Sequence, residues 1–106
     1  MGLARAAELI QEFTRDRTFP EYEDDMMLRS AVERQFEIIG EALNQAFVHF
    51  PDLEKEISSG SQIVAFRNRL IHAYASVDPV VVWGVIEEDL PILHREAELL
   101  LRQEQD

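Results

Sequence analysis

Leu28, Val32, Phe36, Ile39, Leu43, Phe47 and Phe50 follow one another in steps of three or four residues, and no other pattern in the chain limits the fold as tightly. Residues at that spacing share one face of an α-helix, whereas a strand would throw alternate positions to opposite sides. The stripe predicts a helix from about Asp24 to Phe50. Asp24 and Asp25 suit the positive end of its dipole, and Pro51 ends it. A helix with one apolar face takes most of its stability from packing, so other helices must cover the stripe. Gly40 lies inside it, costs roughly 1 kcal/mol relative to Ala, and marks a place where a neighbouring helix comes close.

The rest of the chain is also helical in period. Leu3, Ala6, Ile10 and Phe13 predict a first helix of about three turns. It frays over Arg15–Pro20, because proline disfavours helix in the residue before it. A connector from Pro51 to Gly60 has room for one short turn around Leu53–Ile57. Ser61 is the expected N-cap of a third helix with Ile63, Phe66, Leu70, Ala73 and Val77 as its core stripe. Asp78 and Pro79 read as an N-cap and first helical position of a fourth, where proline's missing N–H costs nothing. That helix runs towards Gln103, kinked or split by Pro91 near Glu88–Leu90. No strand pattern or repeat is visible. At 106 residues the chain suits one core and no second. The expectation is a single all-α domain over residues 1–106, an up-and-down antiparallel four-helix bundle with a short extra or kinked C-terminal helix.

Ten Lys+Arg against twenty-one Asp+Glu give a net charge of −11. The absence of Cys excludes disulfides, thiolate metal sites and cysteine nucleophiles. Val80–Ile86, the longest near-continuous apolar stretch, falls far short of the roughly 20 residues a membrane span needs. With no leader or lipidation signal at the start, the expected location is cytoplasmic, without a membrane partner. So acidic a chain is not a general binder of duplex DNA. The acids are nonetheless unevenly placed. Ile57–Val77 holds none of them but contains Arg67, Arg69 and His72, so this segment is +2 while the remainder is −13. The plain alternative is that an acid here would face buried or crowded surroundings.

At about 100° per residue, Arg67 and Tyr74 stand nearly above one another at the edge of the core face. Asn68 and His72 are neighbours on the side opposite the core stripe. His72 therefore does not fit the usual role of a histidine buried on an apolar face. Arginine offers a fixed fork of donors for phosphate, and imidazole moves protons near neutral pH. An Asn amide can hold a phosphate or 2′-OH, or orient the imidazole. Arg67 and His72 lie about 140° apart around the helix axis, so one helix does not aim both at a single atom. A symmetric partner lending its own pair across a two-fold axis removes that difficulty.

Arg67-Asn68-Arg69-Leu70-Ile71-His72-Ala73-Tyr74 reads R-x4-H-x-Y. Upstream, Ala31–Ala42 ends in Ile39-Gly40-Glu41-Ala42; downstream come Val77-Asp78, Val82-Trp83 and Asp89-Leu90-Pro91. Together, over roughly Leu28–Leu93, these blocks resemble the HEPN-domain proteins of the HepT type. The resemblance implies an all-α homodimer whose R-x4-H motifs meet in a shared cleft. It also implies a metal-independent endoribonuclease that is the toxin of a toxin–antitoxin pair. Its antitoxin would be a cognate nucleotidyltransferase that silences it by transferring AMP to the motif tyrosine. Carried across, Arg67 and His72 are catalytic, Asn68 supports them and Tyr74 is the modification site. The substrate the resemblance implies is RNA, with tRNA and mRNA among the candidates. Some relatives of this type bind nucleotides without cleaving RNA, so a non-catalytic nucleotide- or partner-binding subunit is the alternative, and a purely structural bundle the third reading.

Other candidates are weaker. No histidine has Glu three residues before it, so the bundle-core carboxylate metal motif is absent, and neither a metal nor a cofactor is expected. Glu41 is a supporting candidate, as a partner orienting Arg67, while Glu37 reads as solvated. His49 and His94 have no partners at informative spacing and read as surface residues. Trp83 suits a core or dimer interface better than a base-stacking platform.

Overall fold

The computed structural model describes residues 2–72 and 77–105, with side chains as far as residue 100. All regular structure in it is helical. α1 (Gly2–Thr14), α3 (Met26–His49) and α5 (Gly60–His72) are the first three long helices. The fourth rod is composite: α6 (Pro79–Gly84), a π-helical turn (Val85–Asp89) and α7 (Leu90–Gln105). Two short helices, α2 (Phe19–Asp24) and α4 (Leu53–Glu56), fill connections. Among the described residues no helix is long and apolar enough to cross a membrane.

α3 is the spine. At 24 residues it is about 36 Å long, most of the 43 Å long axis of the molecule. It packs against α1 on one side and α5 on another, and α7 closes onto α1. Val32, Phe36, Ile39 and Leu43 of the predicted stripe are fully buried. They meet Leu3, Ala6, Ala7 and Ile10 of α1, Ile63, Phe66 and Leu70 of α5, and Val82, Ile86, Leu90, Leu93 and Ala97 of the composite rod. The Phe36 and Phe66 rings cross edge to face at 5.2 Å and 89°, locking α3 to α5.

Helix ends show where local chemistry departs from the stripe. Asp25, not Asp24, caps α3, accepting from the Leu28 N–H. Asp78 caps α6 as expected, accepting from Val80 N–H, with Pro79 in the first turn. Ser61 is not the cap of α5: the helix already includes Gly60, and Ile63 N–H donates to the Ser59 carbonyl. Gly60 lies against the Phe47 ring, where a Cβ would collide, so the chain enters the helix at the residue that lets α5 approach α3. The Arg15–Pro20 stretch also differs from expectation. Asp16 takes a left-handed conformation (φ 61°) beyond the end of α1, one that Asp tolerates better than most residues. Then Thr18 and Glu21 form a reciprocal capping box, and Pro20 sits in the first turn of α2, where it removes no helical hydrogen bond. Proline starts a helix here rather than ending one.

Pro91 has the predicted effect in a gentler form. Its missing N–H and bulky ring disturb the turn before it, and the backbone answers with a π-helical turn, in which Leu90 N–H reaches back to the Val85 carbonyl. The rod bends its register without breaking. Trp83 packs half-buried against Tyr22 (5.3 Å) and Phe19 (6.1 Å), so in this chain it is core.

Tyr22 is fully buried, yet its hydroxyl has no partner among the described residues. Burial first, and the charge of Glu33 second, push its ionisation well above the ordinary tyrosine value. Tyr22→Phe is therefore expected to leave stability unchanged or raise it by about 1 kcal/mol, since it deletes an unsatisfied buried group; a urea melt measures this. Glu33 is itself raised, by burial and then by Glu37, with Arg29 opposing. A carboxyl with a raised folded pKa supports the fold below its unfolded pKa and loses that support as pH rises through the folded value. Glu33→Gln should thus raise the urea midpoint at neutral pH, with the gain vanishing below about pH 4.

Candidate functional site

The acid-free segment folds as α5, and its contact with α3 builds the site. At Gly40, α3 presents bare backbone, and the Cβ and Cγ of Arg67 occupy the space that a side chain there would fill. Gly60 and Phe47 make the same kind of contact seven residues further along each helix, in opposite senses. The two helices are thus antiparallel and in close contact over two turns. With its stem pinned, the Arg67 guanidinium emerges beside the next residue of α3. Nη2 donates to Glu41 Oε2 at 2.6 Å and Nη1 to Asn68 Oδ1 at 3.0 Å. Gln45, one turn along α3, donates to the other oxygen of Glu41 at 3.1 Å. The Arg67 side chain is 21% exposed and that of Glu41 48%, so solvent screens the pair and its stabilisation is small. Its effect is positional: the guanidinium is held in one orientation.

That guanidinium faces a groove of about 370 Å³ between α3 and α5, whose walls include Arg34, Glu37, Ile38, Gln45 and Ile71. Nε of Arg67 is buried without a hydrogen-bond partner among the described residues. His72 is exposed at the end of α5 and is not part of the groove lining. Asn68 and Arg69 are exposed as well. Of the residues singled out from sequence, the structure joins Glu41, Arg67 and Asn68 by hydrogen bonds and leaves His72, a helical neighbour of Asn68, outside that set and outside the groove lining. Tyr74, and Ala73 of the core stripe, lie outside the described residues.

A family model described as "Ribonuclease HepT-like" matches residues 3–100. The chain belongs to the HepT-like ribonuclease family. A Thermococcus cleftensis protein named "Probable ribonuclease HepT" is 41% identical over 98 residues, covering 92% of this chain and 88% of that protein. A Methanocaldococcus jannaschii protein named "Putative RNase MJ1380" is 34% identical over 102 residues, covering 92% and 89%. No solved structure matches the chain.

Three features of this HepT-like chain were not expected from the sequence. Gln45 braces Glu41, a contact signalled by their four-residue spacing on one helix. His94, read as an unpartnered surface residue, is only 19% exposed and stands between Glu98, one turn on, and Glu8 of α1. The His94–Glu98 spacing was visible in the sequence; the approach of Glu8 needed the fold. Glu37 is half-buried and pairs with Arg34 at 3.2 Å rather than standing solvated alone.

The geometry separates packing from positioning. Gly40→Ala puts a methyl group into the Arg67 stem and is expected to cost about 1–3 kcal/mol of stability. Glu41→Gln removes a screened ion pair and is expected to cost less than about 1 kcal/mol. Chemical denaturation of the two variants side by side measures the difference.

Proposed function

We propose that this chain is a metal-independent endoribonuclease, a cytoplasmic homodimer in which Arg67 and His72 of both copies meet in one composite cleft. The observation that carries the reading is the division of the motif within one chain. Arg67 is pinned towards the α3–α5 groove, whereas His72 is exposed outside it. One copy offers half a site, and a two-fold partner supplies the complement. Ile71, 44% exposed at the groove, gives such a partner an apolar foothold. The names of the relatives support RNA as the substrate class.

The chemistry asked of these residues is a transesterification. His72 of one copy takes the proton from a ribose 2′-OH, and the oxygen attacks the adjacent phosphorus. The bond from phosphorus to the 5′-oxygen breaks, and that oxygen leaves with a proton from the second imidazole or from water. The products are a 2′,3′-cyclic phosphate and a 5′-hydroxyl. Arg67 stabilises the charge that builds on the non-bridging oxygens, while Glu41 and Gln45 fix its direction and Asn68 supports it. This sequence of steps needs no metal ion.

Regulation in this reading falls to a cognate nucleotidyltransferase acting as antitoxin. AMP on Tyr74, two residues beyond His72 in sequence, adds negative charge and bulk beside the phosphate site and so excludes RNA. A second reading, a nucleotide- or partner-binding subunit without activity, has one observation in its favour: Glu41 already neutralises Arg67.

His72→Ala is expected to abolish RNA cleavage with helicity intact, whereas EDTA should leave wild-type cleavage unchanged. Cleavage that vanishes with EDTA sinks the metal-free mechanism. Growth on inducible expression separates the two readings: wild type should arrest cells while Arg67→Ala and His72→Ala do not. Equal growth of all three counts against a toxin.

A further inference from the structure

Glu8 of α1 and His94 and Glu98 of α7 bring three ligand atoms within 4.8 Å of one another, away from the α3–α5 groove. His94 Nε2 is 3.2 Å from Glu98 Oε1 and 3.6 Å from Glu8 Oε1. Neither contact is a hydrogen bond. The nitrogen is shielded from solvent and has no hydrogen-bond partner among the described residues. Both carboxylate oxygens are near the nitrogen, yet the Glu98 oxygen is not aligned for a hydrogen bond and the Glu8 oxygen is too far for one. An ion ligated at about 2.0–2.1 Å in tetrahedral geometry holds its ligand atoms roughly 3.3–3.4 Å apart. The two distances at His94 bracket that value, and a ligated ion lies off the line joining any two of its ligands. Arg5 bonds Glu8 through Oε2 at 3.4 Å, leaving Oε1 as the oxygen turned to His94.

We propose that Glu8, His94 and Glu98 form a divalent transition-metal site, with Zn²⁺ as the cation it takes. One imidazole and two carboxylates suit zinc, with water completing the shell. Mg²⁺ and Ca²⁺ prefer six or more oxygen ligands and are poorly served by three groups, one of them a nitrogen. Glu98 follows His94 by four residues, which stacks the two on one helical face, while Glu8 is contributed from the far end of the chain. The ion ties α1 to α7, and because that arrangement exists only in the folded chain, binding stabilises the fold. The role is a clamp, separate from Arg67 and His72, so it stands whether or not the chain cleaves RNA.

The test is isothermal titration of ZnCl₂ into the EDTA-stripped, dialysed full chain at neutral pH, with MgCl₂ as control. One zinc ion per chain is expected, with a rise in melting temperature and no response to magnesium. His94→Gln and Glu98→Gln should each weaken binding by about tenfold or more and remove the melting shift, while keeping wild-type circular dichroism. If either variant fails to fold, Glu8→Gln carries the same expectation. No zinc binding by the wild type overturns the proposal, as does binding that survives these substitutions but is lost in His49→Gln or His72→Gln. RNA cleavage in EDTA is read separately, so failure of the clamp and failure of the ribonuclease reading give different results.

Discussion

At Gly40 the backbone of α3 carries no side chain, and the stem of Arg67 lies in the space this leaves. Much else follows from that approach. It sets the closeness of α3 and α5 and brings Phe66, the residue before Arg67, edge-on to Phe36. It also carries the guanidinium out of the core beside Glu41. A glycine that weakens the helix locally thus fixes where a cation stands relative to a carboxylate on another helix. Packing does the positioning, and the ion pair supplies direction at little net energy.

The same contact explains how a chain of net charge −11 holds one guanidinium in a fixed direction at a groove. α5 carries no acid, and the carboxylate nearest Arg67 comes from α3. A guanidinium paired this way repels neighbouring cations less than a free one and keeps its donors oriented. Glu41 is half-exposed, so in the proposed reaction a phosphate reaching Arg67 competes with a carboxylate rather than with bulk water alone. Gln45 holds that carboxylate from the other side. The acidic body keeps association with nucleic acid weak elsewhere on the surface.

The long helices were legible in the sequence because burial of one face imposes a period, and the stripe from Leu28 to Leu43 is that period written out. Gly40 as a close approach was legible because a glycine breaks what a core helical position ordinarily holds, and Glu41 as the partner of Arg67 because it stands in the Ile39-Gly40-Glu41-Ala42 block that carries the resemblance. What escaped was chemistry settled by short-range competition or by tertiary contact. Pro20 reads as a stop until Thr18 and Glu21 are seen to cap a helix around it. Ser61 is a good cap by type, yet Gly60 enters the helix first because Phe47 leaves no room for a side chain there. His94 lacked significance until α1 brought Glu8 beside it. The division of the motif within one chain was visible as an angle about the axis; that His72 stands outside the groove facing Arg67 required the surface of α3.

The π-helical turn before Pro91 has an effect beyond relieving one missing donor. Val82, Ile86 and Leu90 are all buried, at two successive steps of four residues, and in a regular α-helix such steps rotate the apolar face by about 80°. A wider turn takes more residues per revolution and cancels much of that drift. It acts as a phase correction, returning Leu90, Leu93 and Ala97 to the core side on which Val82 began. The angular setting of α7, and with it the meeting of His94 with Glu8 across the bundle, is inherited from a single irregular turn.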